Sequence, residues 1–191
     1  MTALYLGIIL FGGSHLFSIL FAGARDSLKL KLGEKAWKGV YSLVSLAGLV
    51  LLVVGYWQSR GGPLAADWVY VPYDGARHIT MLLVLLAFIL LGASHGKGYL
   101  KKWLHNPMSI GIALWATGHL LSNGKRTAVY LFGMFLVVAL ADIIMSELRG
   151  KRPAHEPRLR SDIIAVIAGV VLYAIFLFGF HPYVLNLPII Q

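Results

Sequence analysis

Apolar positions along the chain gather into six long runs divided by short polar segments. They lie at roughly Ala3–Ala22, Trp37–Trp57, His78–Ala93, Pro107–Leu121, Thr127–Met145 and Asp162–Phe180. About 20 consecutive apolar residues in helical form match the hydrocarbon thickness of a bilayer, so each run predicts a membrane helix. The third and fourth runs are short, at about 15–16 residues or ~24 Å of helix. They would have to extend into their flanks, tilt little, or pair as a hairpin that does not fully cross. The pattern predicts an all-α, polytopic integral membrane bundle of about six transmembrane helices. Ala22-Gly23-Ala24 after the first run looks like a signal-peptide cleavage site. No basic segment precedes that run and its positive charges follow it, which reads as a retained first helix. A single domain fills residues 1–191, with 150–160 as a basic, solvated linker ahead of the last helix at 162–180.

Composition narrows the class further. Apolar residues make up 58% of the chain and charged residues 13%, against about 45–50% and about 25% in an average soluble protein. With no cysteine, disulfide frameworks, zinc–thiolate sites, iron–sulfur clusters and thiol nucleophiles are excluded. Lys and Arg number 17 against 8 Asp and Glu, a formal charge of +9. In so apolar a chain the excess points to loops at an anionic membrane surface and away from nucleic acid. Thirteen of the 17 fall in three segments: 23–36 extended to Lys38, 94–106, and 146–161. Arg60, Arg77, Lys125 and Arg126 lie on the opposite side. Basic loops stay in the cytoplasm, so six helices place those three segments inside and both termini outside. The outer loop 58–77 mixes Gly61-Gly62-Pro63 with Trp68, Tyr70, Pro72 and Tyr73. It reads as an aromatic belt at headgroup level or, more sharply, as a lid over an outward-facing cavity.

Ionisable side chains inside a bilayer cost a few kcal/mol and call for an explanation. His15, His119 and Asp142 are the three that stand out. His78, His95, His105 and His181 sit at span ends or in loops, and His155 lies in the last basic segment. Neutral imidazole is the commonest protein ligand of metals and binds haem iron. Gly12-Gly13-Ser14 ahead of His15 would let a helix or a flat cofactor approach the backbone closely. The plainer reading of each histidine is a hydrogen bond across a helix interface, with His78 and His181 as interfacial caps unless helix ends converge. Asp142 reads as structural, within reach of Arg149 or another loop cation. Nucleophile elbows, HExxH, phosphate loops and dinucleotide fingerprints are absent. What remains is haem, a metal, or proton handling.

The stretch from Asn106 to Gly124, Asn-Pro-Met-Ser-Ile-Gly-Ile-Ala-Leu-Trp-Ala-Thr-Gly-His-Leu-Leu-Ser-Asn-Gly, resembles the signature of the NnrU family of bacterial membrane proteins. Ser14-His15-Leu16, the run from Gly39 to Gly55, Arg77-His78 and Ala87-Phe88-Ile89-Leu90-Leu91 match it as well. The clearest resemblance covers about residues 1–150. The chain departs from the family in having His105-Asn106 where Arg-His is usual, and Lys125 where an acidic residue follows Asn-Gly.

The resemblance implies a bacterial inner-membrane protein linked to denitrification and nitric oxide metabolism. It also implies kinship with the plant enzyme 15-cis-zeta-carotene isomerase, which uses a b-type haem held by histidines. By that likeness haem b is the expected cofactor, and His15 and His119 the expected haem-iron ligands. The expected partners are lipid, haem, and an apolar polyene or a small gas. Depth complicates the pairing: at 1.5 Å per residue His15 lies about 18 Å below the outer end and His119 only ~5 Å. If the helices do not correct this, His78 or His181 becomes the partner of His119, so His78 joins the candidate cofactor-binding residues. Two rival readings are a non-catalytic accessory protein for nitrite or nitric oxide reductase and a membrane methyltransferase. The second rests on Asn106-Pro107-Met108, similar to the His-Pro element of isoprenylcysteine methyltransferase-like proteins but without its histidine.

Overall fold

The computed structural model describes residues 1–61, 66–187 and 189. The expected Gly62-Pro63 turn lies outside them. The described residues form eight helices: α1 (Thr2–Leu20), α2 (Ala22–Leu32), α3 (Glu34–Gln58), α4 (Ala76–His95), α5 (Tyr99–Leu104), α6 (Pro107–Ser122), α7 (Arg126–Leu148) and α8 (Leu159–Val184). Among them there is no strand, and a single bridge joins Trp68 to Lys125. The fold is an all-α membrane bundle. Five helices (α1, α3, α4, α7 and α8) are long and apolar enough to cross a bilayer. The fourth apolar run becomes α6, which at 16 residues stays the short one.

Two of the basic segments expected as loops instead contain helices, α2 and α5. Both are too short and too polar to show an apolar run. A glycine with φ of 83°, Gly33, separates α2 from α3. α6 starts where Asn106 accepts a hydrogen bond from the Ser109 amide at 3.3 Å and Pro107 takes the first helical position, a standard N-terminal stop.

The outer surface is apolar, as a lipid-facing surface must be. α3 exposes Leu43, Val53 and Trp57, and α8 exposes Ile163, Ile167, Val171 and Phe178. Of the buried hydrophobic side chains most are alanine: Ala76, Ala87, Ala93, Ala116, Ala128, Ala139 and Ala165. Small residues at helix seams let backbones close up, since lipid gives helices no hydrophobic reason to associate. α1 and α3 meet this way, because a Cβ at Gly48 or Gly55 would strike the backbone of Phe11 or Leu4. In the other half, α6 and α8 both pack against α4. α7 joins the halves, touching α6 through Phe132 and α1 through Tyr130 and Phe135.

At the end away from the basic segments, the loop that precedes α4 folds down onto the α6–α7 turn. The Val69 amide donates to Gly124 O at 2.9 Å, the Arg126 amide to Asp67 O at 2.9 Å, and the Tyr70 hydroxyl to Leu120 O. Arg126 also pairs with the Asp67 carboxylate at 2.8 Å, and Lys125 lies over the Trp68 ring. Arg60 at the end of α3 and Arg77 at the start of α4 donate to the carbonyls of Leu185 and Ile189. The chain beyond α8 is thereby clamped across the same end.

Candidate functional site

Three intrahelical histidines share one hydrogen-bond arrangement. His15 Nδ1 lies 2.7 Å from Phe11 O, His119 Nδ1 2.8 Å from Trp115 O, and His181 Nδ1 2.8 Å from Phe176 O. A carbonyl oxygen only accepts, so Nδ1 donates in each case and Nε2 keeps its lone pair. Metal-ligating histidines are held in this way, with one ring nitrogen fixed and the other bare. The same bond also satisfies an ordinary buried imidazole. The surroundings therefore decide between the two.

His119 sits among aromatic rings from three helices. Phe132 of α7 stacks on it at 4.5 Å between centroids and 24° between planes, and Trp115 lies at 5.0 Å. On α8, His181 lies at 6.4 Å with planes 22° apart. The last stretch of α8, Phe176–Val184, is π-wound and contains Pro182. Such wide turns are rare and recur at functional sites, and here the wide turn carries His181 toward His119. Two imidazoles on one metal, each bonded at ~2 Å, have ring centres ~6 Å apart. Among the described residues no group of three or more His, Asp or Glu gathers into a metal cage. A bare ion would thus lack ligands here, whereas a metal arriving with its own equatorial ligands needs only two.

His15 has different company. It stacks on Phe11 at 4.2 Å, with Tyr41 of α3 at 5.5 Å. The Ser14 and Ser45 hydroxyls lie 3.3 Å apart beside it. The structure does not bring His15 and His119 together. Phe11 packs on Phe135 at 5.4 Å and Phe135 on Trp115 at 5.3 Å, so a path of ring contacts links the surroundings of the two imidazoles. His78 is exposed at the first turn of α4, two residues before Thr80, whose hydroxyl donates to Gly118 O.

At the basic end Asp142 does not pair with Arg149, as its position in the sequence suggested. Arg149 donates instead to Ile19 O on α1. Asp142 Oδ2 accepts from Asn106 Nδ2 at 2.6 Å and Ser109 Oγ at 2.7 Å. Asp162, which sequence reasoning passed over, is buried and accepts from the Tyr99 and Leu100 amides at 2.7 and 3.2 Å. A polar pair, Ser161-Asp162, opening a long apolar run was the available signal. For His181 it was the His-Pro pair closing one.

In comparisons with known proteins, the family model described as NnrU protein matches residues 3–189, nearly the whole chain. No curated protein and no solved structure matches the chain.

Proposed function

The chain belongs to the NnrU family, and from that premise we propose that it is a b-type haem protein of the bacterial inner membrane with both termini on the periplasmic side. The observation that carries this reading is the His119–His181 pair: two near-parallel imidazoles with ring centres 6.4 Å apart, each with Nδ1 tied to its own helix and Nε2 free. The donor set fits haem, because a porphyrin fills four metal positions and asks the protein only for axial ligands. His119 and His181 are the residues that would hold it. Trp115, Phe132 and Phe180 supply the apolar contacts a macrocycle needs. This reading takes His181 as the partner of His119 in place of His15, because the His181 ring lies 6.4 Å from that of His119, whereas the rings against His15 are those of Phe11 and Tyr41.

Bound haem would supply an iron centre for isomerising a cis double bond in an apolar substrate or for handling a small gas such as nitric oxide. The chain's own residues would hold the imidazoles in place through their Nδ1 bonds and exclude water with aromatic rings. The clasp of loop 66–75 over the α6–α7 turn closes the site from the aqueous side. The optical spectrum of the chain purified from a haem-replete host tests the proposal. A Soret band and a sharp reduced α-band are expected, lost in His119→Ala. A colourless protein from such a host would remove haem from the account and leave a non-catalytic partner of the denitrification enzymes as the better reading.

A further inference from the structure

The last turns of α8 carry His181, and packing does little to fix them. The seam between α8 and α4 is tight at Gly169, where a Cβ would strike the Ile89 backbone. It runs on through Phe176, whose ring lies 5.1 Å from that of Phe88, to the buried Leu177. Beyond Leu177 the large side chains of Phe178, Phe180, Tyr183 and Val184 are all exposed. Pro182 has no amide hydrogen and disfavours α winding through this stretch. The wide turns that form instead are closed by the Leu185 amide on Phe180 O at 3.1 Å and the Leu187 amide on His181 O at 2.9 Å. Wide and ordinary turns rotate the chain by different amounts per residue, so the winding decides which way His181 points.

Polar ties from outside the helix hold that winding. The final carbonyls of a helix lack partners within it and attract cations. Arg60 donates to one of them, Leu185 O, four residues beyond His181. Arg77 donates to Ile189 O further along, at 2.9 Å, through an exposed bond. The two arginines differ in footing. Arg77 stands exposed in the first turn of α4. Arg60 lies over the Trp57 ring at 5.0 Å, and its amide bonds Trp57 O at 3.1 Å. Beside it Ser59 is buried, with its hydroxyl on Tyr56 O at 2.7 Å. Tyr56 packs against the cluster of Ala116, Ala128 and Phe132, and Phe132 is the ring stacked on His119. From the other half of the bundle, Arg60 thereby ties the end of α8 to the wall that holds His119.

We propose that Arg60 is a positioning residue, whose hold on Leu185 O sets the direction of His181 and so keeps a second imidazole beside His119. Resting on the haem reading above, this makes the Arg60 bond the control over how many axial ligands the iron receives. With the bond made, both histidines face one iron. With it broken, His119 alone remains and the open position accepts an outside ligand. Arg77 steadies the chain further out and has the smaller effect.

The test compares the full wild-type chain in detergent with Arg60→Ala, Arg60→Lys and Arg77→Ala by two readouts. Hydrogen exchange at the Leu185 and Leu187 amides needs no haem. Arg60→Ala should speed it about tenfold while the amides of α4 stay unchanged. In the optical spectrum of that variant the Soret absorbance should persist but pass from a six-coordinate low-spin to a five-coordinate high-spin form. Added imidazole should restore the low-spin form by standing in for His181. Arg60→Lys should recover part of the wild-type behaviour, since an ammonium still donates to a carbonyl. Arg77→Ala should move both readouts less than Arg60→Ala. Unaltered exchange, or an unaltered low-spin spectrum, in Arg60→Ala would overturn the assignment and leave the haem reading standing. A lost Soret band, or a high-spin form that imidazole does not convert, would mean general damage to the site and would equally overturn it. A colourless wild-type chain would end the haem reading, and exchange alone would then decide whether Arg60 fixes the end of α8.

Discussion

His15 and His119 begin from the same local rule and end in different surroundings. Each donates Nδ1 to the carbonyl four residues back, at 2.7 and 2.8 Å, and each stacks on a phenylalanine. Around His119 the further rings are Trp115 and a second imidazole. Around His15 they are Tyr41 and the Ser14–Ser45 hydroxyl pair. The ring beside His15 carries a phenol, whereas His119 has a second imidazole beside it that could share a metal. The contrast teaches that the hydrogen bond fixing Nδ1 says little by itself. What faces Nε2 separates a packing histidine from a ligand.

The comparison can be broken most severely at His119. His119→Ala should abolish the Soret band altogether, and intact haem binding in that variant would erase the distinction between the two regions. His181→Ala comes next, with haem retained but in a five-coordinate, high-spin spectrum and affinity lower by about tenfold or more. His15→Ala should leave the spectrum unchanged and cost about 1 kcal/mol in detergent unfolding, the usual worth of one hydrogen bond and its packing. If His15→Ala removed the spectrum while His181→Ala did not, the roles assigned to the two regions would be exchanged.

The smallest expected effect concerns the clasp over the outer site. Arg126 holds the Asp67 carboxyl below its usual range, chiefly through their hydrogen bond. A carboxyl lowered on folding stabilises the fold above its ordinary value near 3.9 and loses that contribution as pH falls through the lowered one. Loop protection measured by hydrogen exchange should therefore be flat between about pH 5 and 8 and decline only in strong acid. Asp67→Asn should reproduce the acid behaviour at neutral pH. A loop that loosens near neutrality in the wild-type chain would mean that another group controls the clasp.

Much of the bundle was legible because a bilayer reads composition additively along the chain. The run expected at Trp37–Trp57 became Glu34–Gln58, and that at Thr127–Met145 became Arg126–Leu148. The shortness of the fourth run survives in the 16 residues of α6. Helices α2 and α5 were missed because neither is apolar or long enough to announce itself. The site was less legible. His119 stood out as an imidazole in an apolar run, and His181, 62 positions away, read as an end cap or, with His78, as the alternative partner of His119. Asp142 sits about two helical turns before Arg149, which suggested an ion pair. The structure instead sends Arg149 to Ile19 and gives Asp142 to Asn106 and Ser109.

The sequence by itself determined the position and polarity of the long apolar helices, because the free energy of placing a residue in hydrocarbon depends on that residue and its depth. Only the tertiary structure decided which histidines meet. A helix that is apolar all round carries no stripe to say which face looks inward. Rotation and pairing are then set by where small residues let backbones close, by α4 drawing α6 and α8 to its flanks, and by a π-wound turn that carries His181 toward His119.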